Sequence, residues 1–409
     1  MTTPFTSGPA TALMDEQSPP GAGTSFLLSR NDYHVLGHGT QTQFSAADEA
    51  AEALRSGRVE RLVGALPFDP AAPAALQAPD DLRMHPGPWQ PDEVSAPNGI
   101  AVVGRDPEPD EHLRRVAAAV RMLGDPDTEL HKVVLARALT LEAAHELSPW
   151  QIAAQLRAAD GPGNAFLTDL SPAGGRFAGR SLIGSTPEVL IRKRGRVVSC
   201  HPLAGSAPRS SDPQVDARRG EELAASAKDL DEHAYVVAAI SAALAPLCER
   251  LDVPDAPSLL TTPAMWHLGT PIRGLISDPE LTSFDLARAL HPTPAICGTP
   301  TEAARRHILD GENDRGFYAG AVGWSSLTNP EGEGARAVDA DADPQGRFGE
   351  CGEWMVTIRC AELDADGRRI TAWAGGGIVA DSDPAAELAE TSAKFATVLT
   401  AFGVDPAQS

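Results

Sequence analysis

Between His131 and Cys200 the sequence is a succession of short, β-rich apolar runs separated by turns. The runs are His131–Arg137, Phe166–Asp169, Arg176–Ser181, Val189–Lys193 and Arg196–Cys200, with one short helical stretch, Pro149–Ala159, among them. Such a chain folds as a strand-and-turn meander, and regular strand–helix–strand units are scarce in it. The expectation is an α/β protein of the α+β type. At 409 residues it can bury a large core. Residues 1–23, rich in Thr, Ser, Pro and Gly, read as a loose tail, and 24–405 as a single domain.

The remaining elements follow from local pattern. Ser25–Ser45 suggests two edge strands, Asp48–Ser56 a helix, Leu62–Pro67 a buried strand, and 70–99 a proline-rich irregular segment. Leu113, Val116, Val120 and Leu123 form one apolar face of a helix over Pro109–Leu123. Asp212–Pro213 opens a helix that breaks once and continues to about Arg250. Met265–Leu275, Phe317–Trp324 and Glu353–Glu362 read as strands, and Phe284–Leu290 as a helix. Thr299 and Glu302 have capping-box spacing. Residues 325–352 are acidic, Gly-rich and without period, which predicts a long surface loop.

Charge and cysteine use narrow the function classes. Lys+Arg number 34 against Asp+Glu 56, a net charge of −22, which argues against a nucleic-acid partner. Five cysteines, an odd number with no C-x-x-C, fit reduced thiols in a cytoplasmic protein better than a disulfide framework. No basic segment followed by an apolar one suggests a signal peptide, and Ala234–Leu247 is too short to span a membrane and reads as a buried helix.

The chemistry concentrates in Gly375–Lys394, GGGIVADSDPAAELAETSAK. Three glycines after RRITAWA suggest a turn, and Asp383–Pro384 a helix start. Glu387 and Glu390 share a helical face, with Lys394 one turn on; Asp229 and Glu232 repeat the i,i+3 spacing on another helix. One such pair is ordinary surface chemistry. Two pairs suggest a shared site for a hard cation such as Mg²⁺, which takes few carboxylates and keeps substrate oxygens and water. Lys132 and Glu188 each stand at the head of an apolar strand, where a charge packs poorly unless the strand end is exposed.

Taken in order, KVVLAR, LIGSTPEVLIR, HPLAGSAPR, KDLDEH, HLGTPIRG, LHPTPAICGTP, RGFYAGAVGW, EWMVTIRCAEL and GGGIVADSDPAAELAETSAK resemble the chorismate-utilising enzymes over about Lys132–Lys394. The resemblance implies a fold like anthranilate synthase component I: two stacked, mainly antiparallel sheets with helices outside and the active site in a cleft between the halves. It is nearest the isochorismate synthases of the siderophore-type branch, many of which act as monomers, and implies a monomer with no membrane or nucleic-acid partner. Lys132 implies water as nucleophile. Ala295 stands where salicylate synthases usually carry Thr. In the implied reaction water adds at C2 of the chorismate ring and the C4 hydroxyl leaves. Lys132 is then the base, uncharged through desolvation or nearby positive charge, and Glu188 the acid, kept protonated by burial.

By the same resemblance Glu232 and Glu390 bind Mg²⁺ directly, while Asp229 and Glu387 hold its waters. Family members often have Glu in place of Asp229. Arg359 and Lys394 take the enolpyruvyl carboxylate, with Arg359 on the face of Met355 and Thr357. Gly205, Ser206, Gly375, Tyr318 and Ala295 complete the substrate site, and His267 and His291 are candidates to line it. The rival activity is salicylate synthase, which eliminates pyruvate after isomerising. A non-catalytic binding protein on the same fold is a third reading. A dinucleotide loop at Gly375–Gly377 is disfavoured, because the glycines are not G-x-G-x-x-G and the helix begins only at Pro384.

Overall fold

A computed structural model describes residues 23–94, 99–262, 265–328 and 349–409. Its frame is two large sheets in which neighbouring strands run antiparallel. The first has ten strands in the order Gly298–Thr299, Lys132–Ala143, Arg369–Ile378, Cys360–Leu363, Ser181–Gly184, Ala165–Asp169, Thr24–Ser29, Tyr33–His38 and Asp81–Pro86, with Ile100–Asp106 also against Lys132–Ala143. The second has nine: Cys248–Asp252, Ile272–Ile276, Val197–Cys200, Val189–Arg194, Cys351–Val356, Ala321–Ser326, Arg61–Leu66, Ala75–Ala78 and Thr42–Phe44. This matches the expected pair of stacked antiparallel sheets. A third, small sheet of Leu203–Pro208, Met265–Gly269 and Ser258–Thr261 was not foreseen.

Apolar side chains of both large sheets meet in one buried cluster that includes Val35, Val133, Leu190, Phe284, Phe317 and Trp354. The outer face of the first sheet has its own cluster, where Leu139, Leu141 and Ile370 meet Ile152 of the helix Pro149–Ala159 and Phe395 of Pro384–Ala401. Alternation along Arg369–Ile378 is what allows this, since every second side chain faces the same side. Helix starts are set by side-chain caps. Asp212 accepts from the Gln214 and Val215 amides, Ser226 from Asp229, and Asp383 from Ala386. The expected break falls at Ser226, between the helices Pro213–Ala225 and Ala227–Leu244.

Several local expectations are corrected. Met265–Leu275 is two strands in different sheets, because Pro271 has no amide hydrogen to continue the ladder. Glu353–Glu362 also divides: Cys351–Val356 belongs to the second sheet and Cys360–Leu363 to the first. Arg359 therefore shares no strand face with Met355 and Thr357; it sits in the crossing with φ at +51°. The segment 70–99 contains two strands, Ala75–Ala78 and Asp81–Pro86, because its prolines fall at strand ends. Arg176 and Phe177 lie in a helical turn after Gly174 and Gly175, both at positive φ, and the strand begins only at Ser181. Pro300, without a side-chain cap, starts the helix Thr301–Gly311 in place of the Thr299–Glu302 box. Gly375–Gly377 are strand, not turn. Residues 1–22 and 329–348, which hold nearly all of the expected tail and most of the acidic loop, lie outside the described residues.

No helix among the described residues is long and apolar enough to cross a membrane. Trp354 is the largest fully buried side chain; its ring lies 4.9 Å from Phe284 and its indole N–H donates to Ser325 Oγ at 3.1 Å. Trp354→Ala should therefore lower the unfolding free energy by about 3–5 kcal/mol, read as a lower urea midpoint at unchanged slope.

Candidate active site

Two of the chain's passages between the large sheets lie side by side, Ser185–Glu188 and Thr357–Arg359. The crossings are tied together: the Ser185 amide donates to the Arg359 carbonyl at 3.0 Å and the Val356 amide to the Glu188 carbonyl at 3.0 Å. Because the second crossing leaves the first sheet at Cys360, Arg369–Ile378 is paired there only through Ala372. Its far end, Gly375–Gly377, pairs with Lys132–Ala143 on one side and faces a cleft on the other.

Close approach explains the glycines. A Cβ on Gly377 would lie 2.7 Å from Glu232 Oε1 and 2.8 Å from Lys132 Cε; one on Gly375 would lie 2.9 Å from the Tyr318 hydroxyl. One on Gly376 would lie 3.1 Å from Glu387 Oε2. The Gly375 carbonyl accepts from Lys394 Nζ at 2.8 Å.

Glu188 emerges from its crossing into the cleft. Burial raises its carboxyl to about 7, against the opposing pull of Lys132, Arg359 and Lys394. Lys132 is fully buried, and its Nζ pairs with Glu232 Oε1 at 2.8 Å. It does not line the cleft itself; Glu232, Val134 and Gly377 do. Lys132 thus reaches the cleft through Glu232, a partner the sequence reading did not assign to it.

The two acidic pairs do converge. Asp229, Glu232 and Glu390 line the cleft, and Glu387 lies just behind it. Burial raises Asp229, and Glu232 and Glu390 raise it further; burial raises Glu387, with Glu390 adding to it. Glu390 resists burial because Lys394 Nζ, 2.7 Å away, holds it below the usual range. Lys228 Nζ lies 3.2 Å from Glu387 Oε1, which also accepts from Ser382 Oγ at 2.7 Å. Among the described residues no three such side chains are gathered tightly enough to mark a metal centre on their own. The donors nevertheless suit Mg²⁺: all are carboxylate oxygens, they repel one another, and buried Glu387 Oε2 has no hydrogen-bond partner.

The rest of the wall carries most of the other expected residues. Arg359, Lys394, Gly205, Ser206, Tyr318, Ala295 and Gly375 all face the cleft. Gly205 sits at a sheet irregularity with φ at +79°, and a Cβ there would press on Asp229 Cβ at 3.0 Å. His267 lines the cleft with an unpartnered Nε2, and burial first, then Arg359 and Lys394, lowers it to about 4. His291 does not line it; its Nε2 bonds the Pro67 carbonyl at 2.8 Å, a structural role. Sequence reasoning missed Lys228 and Trp373. Lys228 stands beside Asp229 in KDLDEH, and Trp373 precedes Gly375 by two, the strand period that puts both on one face. The Trp373 ring stacks on Tyr318 with centroids 5.9 Å apart.

The raised carboxyl gives a signed stability prediction. An acid whose folded value exceeds its unfolded one binds more protons when folded, so its ionisation destabilises the fold as pH rises between the two values. Glu188→Gln should leave stability unchanged below about pH 4.5 and raise it by roughly 3 kcal/mol above pH 7. Denaturant melts of both proteins across that range check it.

The chain matches the family model described as chorismate binding enzyme over residues 89–338 and 344–403. Isochorismate synthase DhbC of Bacillus subtilis is 43% identical over 364 residues, 88% of this chain and 85% of that one. The vibriobactin-specific isochorismate synthase of Vibrio cholerae is 33% identical over 393 residues, 93% of this chain and 92% of that one. Among solved structures, the menaquinone-specific isochorismate synthase MenF of Escherichia coli superimposes with a TM-score of 0.76 at 24% identity, covering 93% of this chain and 88% of that one. Anthranilate synthase component I of Streptococcus pneumoniae does so at 0.66 and 18%, covering 96% and 95%. Those two likenesses concern the fold, whereas the family match and the closer relatives concern the whole chain: it belongs to the chorismate-binding enzyme family.

Proposed function

We propose that this chain is an isochorismate synthase, converting chorismate reversibly to isochorismate with Mg²⁺ as cofactor. The observation that carries the reading is Glu188, a buried carboxyl raised to about 7 and facing a cleft that also holds Arg359, Lys394 and converging carboxylates. A carboxyl of that kind is still partly protonated at neutral pH and can donate to a leaving hydroxyl. The siderophore-type branch rests on the sequence motifs, with one relative specific to vibriobactin beside others that carry the name MenF.

Mg²⁺, when bound by Glu232 and Glu390 with Asp229 and Glu387 behind them, supplies charge neutralisation for the ring carboxylate. The protein's own groups do the proton work. Lys132 is the base: it takes the proton of the water that attacks C2 by way of Glu232, which pairs with its Nζ at 2.8 Å and lines the cleft. Glu188 gives its proton to the C4 oxygen, which leaves as water. One water enters, one leaves, and one proton passes to Lys132 as another leaves Glu188, so the same groups with roles exchanged run the reverse reaction. Arg359 and Lys394 meet the enolpyruvyl carboxylate, and Arg359 suits a bidentate pairing. Gly205, Ser206, Gly375 and Tyr318 orient the ring. Ala295 presents a methyl group and no hydroxyl in the wall, which favours stopping at isochorismate over pyruvate elimination.

Product analysis tests the reading. Purified protein with chorismate and Mg²⁺, without glutamine or ammonia, should give an equilibrium mixture of chorismate and isochorismate and no pyruvate. Salicylate with pyruvate would move the activity to the lyase; no conversion would favour a binding protein. For the metal, Glu390→Ala should weaken Mg²⁺ by calorimetry by more than the roughly tenfold that loss of an outer-shell partner costs. An unchanged isotherm would place the ion elsewhere.

A further inference from the structure

The strand that begins at Lys132 loses its neighbour early. Gly298 and Thr299 pair with Val133 and Lys132, and the Val134 amide still reaches the Cys297 carbonyl at 2.8 Å. Beyond that point the chain peels away, so that Ala295 and Ile296 turn into the cleft wall. Polar groups on a buried strand edge need other partners. Two side chains supply them. Arg315 Nη2 donates to the Val134 carbonyl at 2.6 Å, and Glu312 Oε1 accepts from the Ala136 amide at 2.8 Å. The two are joined at 2.8 Å between Arg315 Nε and Glu312 Oε2, and both side chains are buried. They occupy the place of a paired strand: a donor opposite a carbonyl, an acceptor opposite an amide.

The same guanidinium also donates from Nη1 to the Ile296 carbonyl at 3.2 Å. Its own backbone carbonyl accepts from the Tyr318 amide at 3.0 Å, and it lies 4.6 Å from the centre of the Phe68 ring. One residue therefore joins the strand of Lys132 and the segment of Ala295 through its guanidinium, and the turn that carries Tyr318 through its backbone. Lysine has the charge but not the fork, and cannot make these bonds together.

We propose that Arg315 and Glu312 are positioning residues that hold the Ala295–Ile296 wall at a set distance from the strand of Lys132, and so fix the width of the cleft across the substrate ring. The role in turnover rests on the isochorismate synthase reading; the stapling of the two walls does not.

Arg315→Lys and Glu312→Gln test it, the second retaining an acceptor oxygen for Ala136. Hydrogen exchange of peptides covering 132–137 and 293–297 reports the staple directly, and chorismate kinetics report its use. In folded variants exchange in both peptides should quicken at least about tenfold, and kcat should fall about tenfold or more with a smaller change in KM, the pattern of lost alignment. Wild-type exchange, or quickened exchange with wild-type kcat, overturns the proposal. If Arg315→Lys does not fold, Glu312→Gln decides alone by the same criteria. A wild-type protein that leaves chorismate unchanged overturns the functional reading, while the exchange arm still decides whether the pair holds the walls.

Discussion

Everything at the candidate site depends on the paired crossing between the two large sheets. Ser185–Glu188 and Thr357–Arg359 run side by side and are hydrogen-bonded to each other, so neither can move alone. A crossing takes two strands out of the first sheet together and exposes the edge of the strand next in line. That edge is Gly375–Gly377. It also delivers one acid, Glu188, and one cation, Arg359, to the same opening. Arg359 adopts φ of +51°, an unfavourable conformation for a branched-free but bulky side chain, of order 1 kcal/mol. The two flanking strands belong to different sheets and hold it there.

The lysines around the cleft are each paired with an acid. The chain carries −22 overall, yet Lys132, Lys228 and Lys394 each meet a carboxylate: Glu232, Glu387 and Glu390. Burying a charge without a partner is far more costly than burying a pair, which accounts for this matching. Glu188 differs from these three carboxylates. It is near three cations but bonded to none of them, and burial dominates its behaviour. That difference separates a carboxyl able to give up a proton from carboxylates able to hold a cation.

Side chains also finish the backbone framework where strands end. Arg315 and Glu312 complete the edge beside Val134 and Ala136. Elsewhere Glu353 is fully buried beneath Arg30 and Arg192, which come from the first turn of the chain and from the neighbouring strand. Only the first pair stands in for a peptide partner; Cys351–Val356 is paired on both sides, and the ion pairs of Glu353 join side chains alone.

Much of this was legible in the residues. Period-2 runs marked most strands, Asp212 and Asp383 marked helix starts, and the i,i+3 acids on two helices pointed to one site. Lys132 and Glu188 stood out because a charge at the head of an apolar strand needs a reason. Local pattern did not reveal which sheet a strand joins, since antiparallel strands of either sheet have the same alternation. Hence Met265–Leu275 and Glu353–Glu362 looked continuous, and Gly375–Gly377 looked like a turn. The pairing of Lys132 with Glu232, a hundred residues apart, arises only when the helix Ala227–Leu244 lies over the glycine strand. Sequence by itself determined the elements, their caps and the stock of reactive groups, because these depend on near neighbours. The tertiary structure alone decided who faces whom, because desolvation and ion pairing act between segments that meet only after both sheets have formed.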